Sequence, residues 1–158
     1  MSTTTSQDAY RALLRDFISP ALRRVGFKGS GGTYVLPDDD QWVLVGFQRS
    51  VWGDRHETRF TANLTVASKD GWARRRREEP TWPKRPAANT RYGSSIWQSR
   101  IGLILPARVD TWWTIRPDSN LASLASDVLA ALRDHGLPAL QEQLSKTAYP
   151  SVTLADTD

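Results

Sequence analysis

The chain has 158 residues, is 39% hydrophobic and carries a formal net charge of +4, a size suited to one domain over 1–158 that buries about two-thirds of the surface its unfolded form exposes. It has no cysteine and only two histidines, His56 and His135, which excludes disulfides, thiolate nucleophiles, iron–sulfur clusters, the commoner structural zinc sites and histidine-rich metal sites, and no cofactor is expected. The N-terminus, MSTTTSQDAY, lacks the basic region and apolar run of a secretory signal, and no window approaches the ~18 apolar residues of a membrane span; the reading is cytoplasmic, without membrane association.

Tyr10, Leu13, Leu14, Phe17 and Ile18 recur at helical spacing behind Ser6, read as the N-cap, with Asp8 in the first turn. Ser19-Pro20 predicts a kink or restart, and Gly26-Phe27 predicts a left-handed helix end with the phenylalanine folded back onto the last turn. After the turn Gly29-Ser30-Gly31-Gly32, the stretches Thr33 to Leu36 and Gln41 to Ser50 read as a hairpin closed by Pro37-Asp38-Asp39-Asp40. Arg59 to Ser68 alternates, with Phe60, Ala62, Leu64 and Val66 on the core face and Arg59, Thr61, Asn63 and Thr65 on the other. Residues 70–95, with Pro80, Pro83 and Pro86 and no sustained period, read as a loop excursion from the sheet. Strands are predicted again at Ile96 to Leu105 and Thr111 to Arg116. A helix through Leu121, Leu124, Val128 and Leu132, capped by Asp118 or Ser119, should end at Gly136, and Leu137-Pro138 should open a short last helix before a frayed tail, 147–158. The order predicts an α+β fold: a mostly antiparallel sheet of about five strands with an N-terminal helix and two C-terminal helices on one face.

The basicity is local. From Lys69 to Arg91 there are eight basic residues against three acidic ones, and the rest of the chain carries 13 basic and 14 acidic residues. Arg74, Arg75, Arg76, Arg77, Lys84, Arg85 and Arg91, with Trp72, Trp82 and Tyr92 interleaved, supply cations for phosphate and rings for base stacking, which makes single-stranded nucleic acid one candidate partner. Glu78-Glu79 beside the run, and the lack of a basic surface elsewhere, favour a solvated loop or a protein contact.

The ordered set Gly26-Phe27-Lys28, Gln48-Arg49-Ser50, Phe60-Thr61-Ala62-Asn63-Leu64, Arg100-Ile101-Gly102 and Trp112-Trp113 resembles the bacterial family catalogued as domain of unknown function 4304, over roughly residues 10 to 140. The resemblance implies a single α+β domain and brings no activity with it. The arginine-rich stretch Gly71 to Gly93 is where this sequence departs from the family pattern.

Gln48, Arg49, Asn63 and Arg100 are polar residues in or at the end of predicted strands, and several could share a sheet face with Trp97, Trp112 or Trp113. Amide and guanidinium groups beside indoles suit a protein or peptide partner or a small anion; the competing reading is that Gln48 and Asn63 tie down loops while the tryptophans fill core. Trp112 and Trp113 must point to opposite faces. The glycine cluster lacks the Lys-Ser/Thr pair of a phosphate loop and is read as a turn; the aspartate run is read as a solvated turn without metal. No local catalytic motif is present, so the chain reads as a non-enzymatic binding module, an immunity- or accessory-type bacterial protein, the alternative being nucleic-acid binding through 71–93. Distant carboxylate pairs leave no spacing to detect.

Overall fold

The structure is a computed structural model and describes residues 3–93 and 96–148; positions 149–158 of the tail read as frayed, and the last two of the 70–95 excursion, lie outside the described residues. Six antiparallel strands run β1 (Lys28–Ser30), β2 (Thr33–Leu36), β3 (Gln41–Arg49), β4 (Thr58–Ser68), β5 (Trp97–Arg100) and β6 (Trp113–Ile115). The sheet order is β1-β2-β3-β4-β5, and β6 pairs with the other end of β4. Helices α1 (Ser6–Leu13), α2 (Ser19–Arg24), α4 (Leu121–Ala131) and α5 (Leu137–Ala148) form the helical layer, and α3 (Lys69–Glu78) follows β4 directly. The fold is α+β, with the N-terminal helix and the two C-terminal helices packed on one sheet face.

Alternation along β3 and β4 builds this core. Val43, Val45 and Phe47 pair with Val66, Leu64 and Ala62, and all point toward the fully buried Leu13, Ile18, Val128, Leu132 and Leu140 of the helical layer. Each of the valine, leucine, isoleucine and phenylalanine side chains stabilises by roughly 1.5–3 kcal/mol on burial. Phe60 sits centrally, its ring 5.1 Å from Tyr10 and 5.6 Å from Trp113. Burial pushes the Tyr10 hydroxyl well above its ordinary value, so the ring stays neutral. Gly26, at φ +104°, ends α2 as expected, and Phe27 folds back to donate its N–H to Leu22 O while its ring is buried.

Several local expectations are corrected. The cap of α1 is Thr5: its hydroxyl accepts from Asp8 N and the Asp8 carboxylate accepts from Thr5 N. Ser6 is thereby released for a long-range tie described below. At Ser19-Pro20 the helix neither stops nor restarts; a π turn over Leu14–Ile18 carries it through. Gly136 likewise lies within a π turn, Leu132–Gly136, that joins α4 to α5. Both π turns begin in the same sequence, Leu-Arg-Asp-x-x-x-Pro-Ala-Leu, at 14–22 and 132–140. Proline lacks an N–H and its ring crowds the carbonyl four residues back, so shifting the preceding bonds to wider rings relieves both defects. The cap of α4 is Asn120, whose side chain accepts from Ser123 N at 3.0 Å, while Ser119 Oγ accepts from Arg116 N. Asn120→Ala should lower stability by about 1 kcal/mol in a urea titration.

The predicted strand over Ile96 to Leu105 is strand only to Arg100 and then a 3₁₀ turn, Ile101–Ile104. Gly102 permits this: a Cβ there would lie 2.2 Å from Val109 O, so the 109–111 segment crosses directly over the glycine. Among the described residues no helix is long and apolar enough to cross a membrane.

Candidate partner-binding surface

The same alternation that fills the core sends a second set of residues to the outer face. There Trp42, Leu44, Gly46 and Gln48 of β3 lie opposite Ala67, Thr65, Asn63 and Thr61 of β4, and Gln98 and Arg100 of β5 extend the row. Leu44, Thr65 and Ala67 are buried, because the basic segment folds back over them. Gly46 is where it docks: a Cβ at this position would lie 2.4 Å from Ala88 Cβ and 2.8 Å from Asn89 Oδ1. An isolated glycine in a strand marks a close approach of this kind.

The segment read as a loop is helical in its first part. Ser68 caps α3 by accepting from Gly71 N, and Arg75, Arg76 and Arg77 occupy its last turn, where cations complement the helix dipole. Trp72 is buried and stacks on Trp82 at 4.7 Å, with Tyr92 edge-on at 4.8 Å. The Trp72 indole N–H donates to Pro83 O and Arg76 Nε donates to Trp82 O. Tyr92 N donates to Gln98 Oε1 at 3.0 Å, and Gln98 Nε2 donates to Thr90 O, which fastens the far end to β5. The three rings considered as base-stacking platforms are thus packed on one another. Arg74, Arg75, Arg77, Lys84, Arg85 and Arg91 are exposed, so the segment keeps its cations on the surface.

Between this cover and β4–β5 lies a cavity of about 210 Å³ lined by Gln48, Asn63, Asn89 and Arg100. Asn63 uses both amide hydrogens, donating to Gln48 Oε1 at 2.8 Å and to Asn89 Oδ1 at 2.9 Å. Asn89 Nδ2 donates to Phe47 O. Arg100 Nε faces Asn63 Oδ1 at 3.5 Å and Nη1 donates to Asp110 Oδ2 at 3.0 Å. The same carboxylate oxygen accepts from Trp112 Nε1 at 2.9 Å, and the guanidinium lies over the Trp112 ring, 5.0 Å from its centre. Asp110 Oδ2 accepts two of these bonds. Among the described residues Gln48 Nε2 and Arg100 Nη2 have no acceptor, so both can donate to a peptide carbonyl or a carboxylate.

A second depression, about 520 Å³, shares Gln48 and Asn89 with this network and extends past Arg49 to Val51. It leads to the β3–β4 hairpin tip, where Val51 is 89% and Trp52 90% exposed. The tip is held firmly. Asp54 N donates to Glu57 O, and the Asp54 carboxylate accepts from His56 N at 2.8 Å and Glu57 N at 2.9 Å. Ser6 N donates to Arg55 O at 2.8 Å; Ser6 Oγ donates to Asp54 O and so takes the Thr58 hydroxyl as its donor at 2.7 Å. The backbone bonds hold the Asp54 carboxyl below the usual aspartate value. A depressed folded value means the tie is intact above the ordinary aspartate range and lost as pH falls through the lower, folded one. Protection of the His56 and Glu57 amides, taken relative to their intrinsic exchange at each pH, should therefore fall in that acid window, and Asp54→Asn should abolish the transition.

Of the candidate residues, Gln48, Asn63, Arg100 and Trp112 come together. Arg49 is on the opposite parity, with its guanidinium 5.9 Å from the Tyr10 ring centre. Trp97 and Trp113 pack against the main core, so Trp112 and Trp113 do point to opposite faces, each half-buried. Sequence reasoning missed Asn89, Asp110 and Trp52. Gly46 inside a strand was the available sign of Asn89, and a tryptophan in a Gly-Asp turn was the sign of Trp52; Asp110 left none. Among the described residues no three His, Cys, Asp or Glu side chains group as a metal site.

Residues 18–142 match the family described as Domain of unknown function (DUF4304). The chain belongs to this family. No curated protein and no solved structure matches it. The DUF4304 match covers every strand of the sheet and the outer-face network, from Gln48 to Trp112, together with the basic cover.

Proposed function

We propose that this DUF4304 chain is a non-enzymatic binding module that grips a protein partner, in an immunity- or accessory-type role, through the surface running from Trp52 past Gln48 and Asn63 to Arg100. The observation that carries the reading is the rigidly tied hairpin tip with Trp52 90% exposed. A large indole on a fixed turn has little backbone ordering left to lose on binding and a large apolar area to bury, conditions that favour a tryptophan hot spot. Arg49, Arg55 and Arg59 around the tip are exposed and fit an acidic rim on the partner.

Nucleic acid is the second reading, supported by the exposed arginines of α3 and weakened by the mutual packing of Trp72, Trp82 and Tyr92. The test is parallel capture from a host-cell lysate on immobilised wild-type and Trp52→Ala chains, followed by binding of the purified candidate. A protein retained by the wild type, lost with Trp52→Ala and bound again in pure form supports the proposal. Retention of RNA or DNA alone, abolished by alanine at Arg74 to Arg77, would replace it with the second reading.

A further inference from the structure

A groove of about 490 Å³ lies between α1–α2 and the glycine turn, away from the basic cover. One wall is a stripe at intervals of four: Arg11, Arg15, Ser19 and Arg23. In an unbroken α-helix three turns take about 10.8 residues, so a stripe over twelve would drift by roughly a third of a turn. The π turn over Leu14–Ile18 absorbs about one extra residue and brings Arg23 back into line with Arg11 and Arg15. The equivalent π turn at Leu132–Gly136 has leucine at 129, arginine at 133, leucine at 137 and glutamine at 141, one arginine where the first stripe has three. Proline therefore accounts for both distortions, and only the first is used to align arginines.

Two of these cations are already neutralised, Arg11 by Asp8 and Arg15 by Asp16. Arg23 has only a backbone acceptor, Gly29 O at 3.0 Å, and Arg49, on the facing side, has no carboxylate within ion-pair distance among the described residues. Tyr10 and Leu14 give the groove an apolar floor, and Ser30 and Gly31 form the opposite lip, where even a Cβ on Gly31 would meet nothing within 4 Å. Two unneutralised guanidinium forks over an apolar floor, in a volume within the ~300–1,000 Å³ range of small-molecule sites, suit a phosphate group carried on a compact organic body. We propose that this groove binds a small phosphate monoester, with Arg23 and Arg49 as the phosphate contacts and Tyr10 and Leu14 beneath the organic part.

Isothermal titration of the intact chain at low salt, with adenosine 5′-monophosphate, ribose 5-phosphate, inorganic phosphate and adenosine as probes, tests this. Saturable one-site binding is expected for at least one monoester, tighter than for inorganic phosphate and absent for adenosine. Arg23→Gln/Arg49→Gln should weaken it by roughly tenfold or more, and Arg23→Lys, which keeps charge but not the fork, should weaken it measurably. Arg24→Gln, one residue off the stripe, should leave it unchanged. Both target arginines are exposed, and an unshifted melting temperature will show that the variants fold. Failure of both monoesters to bind, equal affinity for inorganic phosphate, or wild-type affinity in the double variant would overturn the proposal.

Discussion

A Trp52→Ala chain is expected to melt at the wild-type temperature and to lose at least about 30-fold in affinity for the proposed protein partner, the equivalent of roughly 2 kcal/mol for a hot-spot tryptophan. The two halves of this expectation come from the same fact. At 90% exposure the Trp52 ring contributes almost nothing to the folded chain alone, so its removal costs little stability. The turn that presents it is fixed by the Asp54 and Ser6 bonds and not by the indole. Calorimetric melting and a titration with the purified partner measure both terms, and a drop in melting temperature without a change in affinity would assign Trp52 to folding. Ser6→Ala provides the converse case. It removes the hydroxyl that buries itself between Asp54 and Thr58, so it should loosen the tip and weaken binding with the indole still present.

Gly46→Val should lower stability by about 1–3 kcal/mol and lift the basic cover off the sheet. The new side chain would meet Ala88 Cβ and Asn89 Oδ1 inside van der Waals distance, and β3 cannot retreat, since its other face carries Val45 and Phe47 in the main core. Displacing Ala88 exposes Leu44 and Ala67 and separates Asn89 from Asn63 and Phe47. Urea denaturation gives the energy. A red shift of tryptophan emission would report the opening of the Trp72–Trp82 stack, which the segment closes through Pro83 and Arg76. Adding Ala88→Gly should recover part of the loss, a coupling that a double-mutant cycle quantifies. A Gly46→Val protein as stable as the wild type, with unshifted emission, would mean the cover is not docked where Ala88 places it.

The parts of the fold that could be read in advance are those whose signal is local. Phe60, Ala62, Leu64 and Val66 alternate along one strand because one face is buried, and Gly26-Phe27 ends a helix through the backbone freedom of a single glycine. Trp112 and Trp113 follow from strand geometry alone. Helix α3 was hidden because its stripe holds one apolar anchor, Trp72, whose partners Trp82 and Tyr92 lie ten and twenty residues ahead. Arg74, Arg75 and Arg77 face solvent and give no period, and Arg76 reaches Trp82 O. The shift of the first cap from Ser6 to Thr5 was hidden because both residues can cap, and the competing demand on Ser6 comes from Asp54 and Thr58 across the chain. The outer-face network was half legible: Gln48, Asn63, Arg100 and Trp112 were suspected as polar and aromatic residues in strands, whereas Asn89 and Asp110 reach them only through loops positioned by Gly46 and Gly102.

Hydrogen exchange of the chain alone and in complex with the purified partner tests the docking surface most directly. The account predicts new protection over residues 48–57, at the hairpin tip and its base, extending to residue 63 in the middle of β4 and residue 100 at the end of β5, with α3 unchanged. Protection confined to 69–92, with the tip as exposed in the complex as in the free chain, would contradict it.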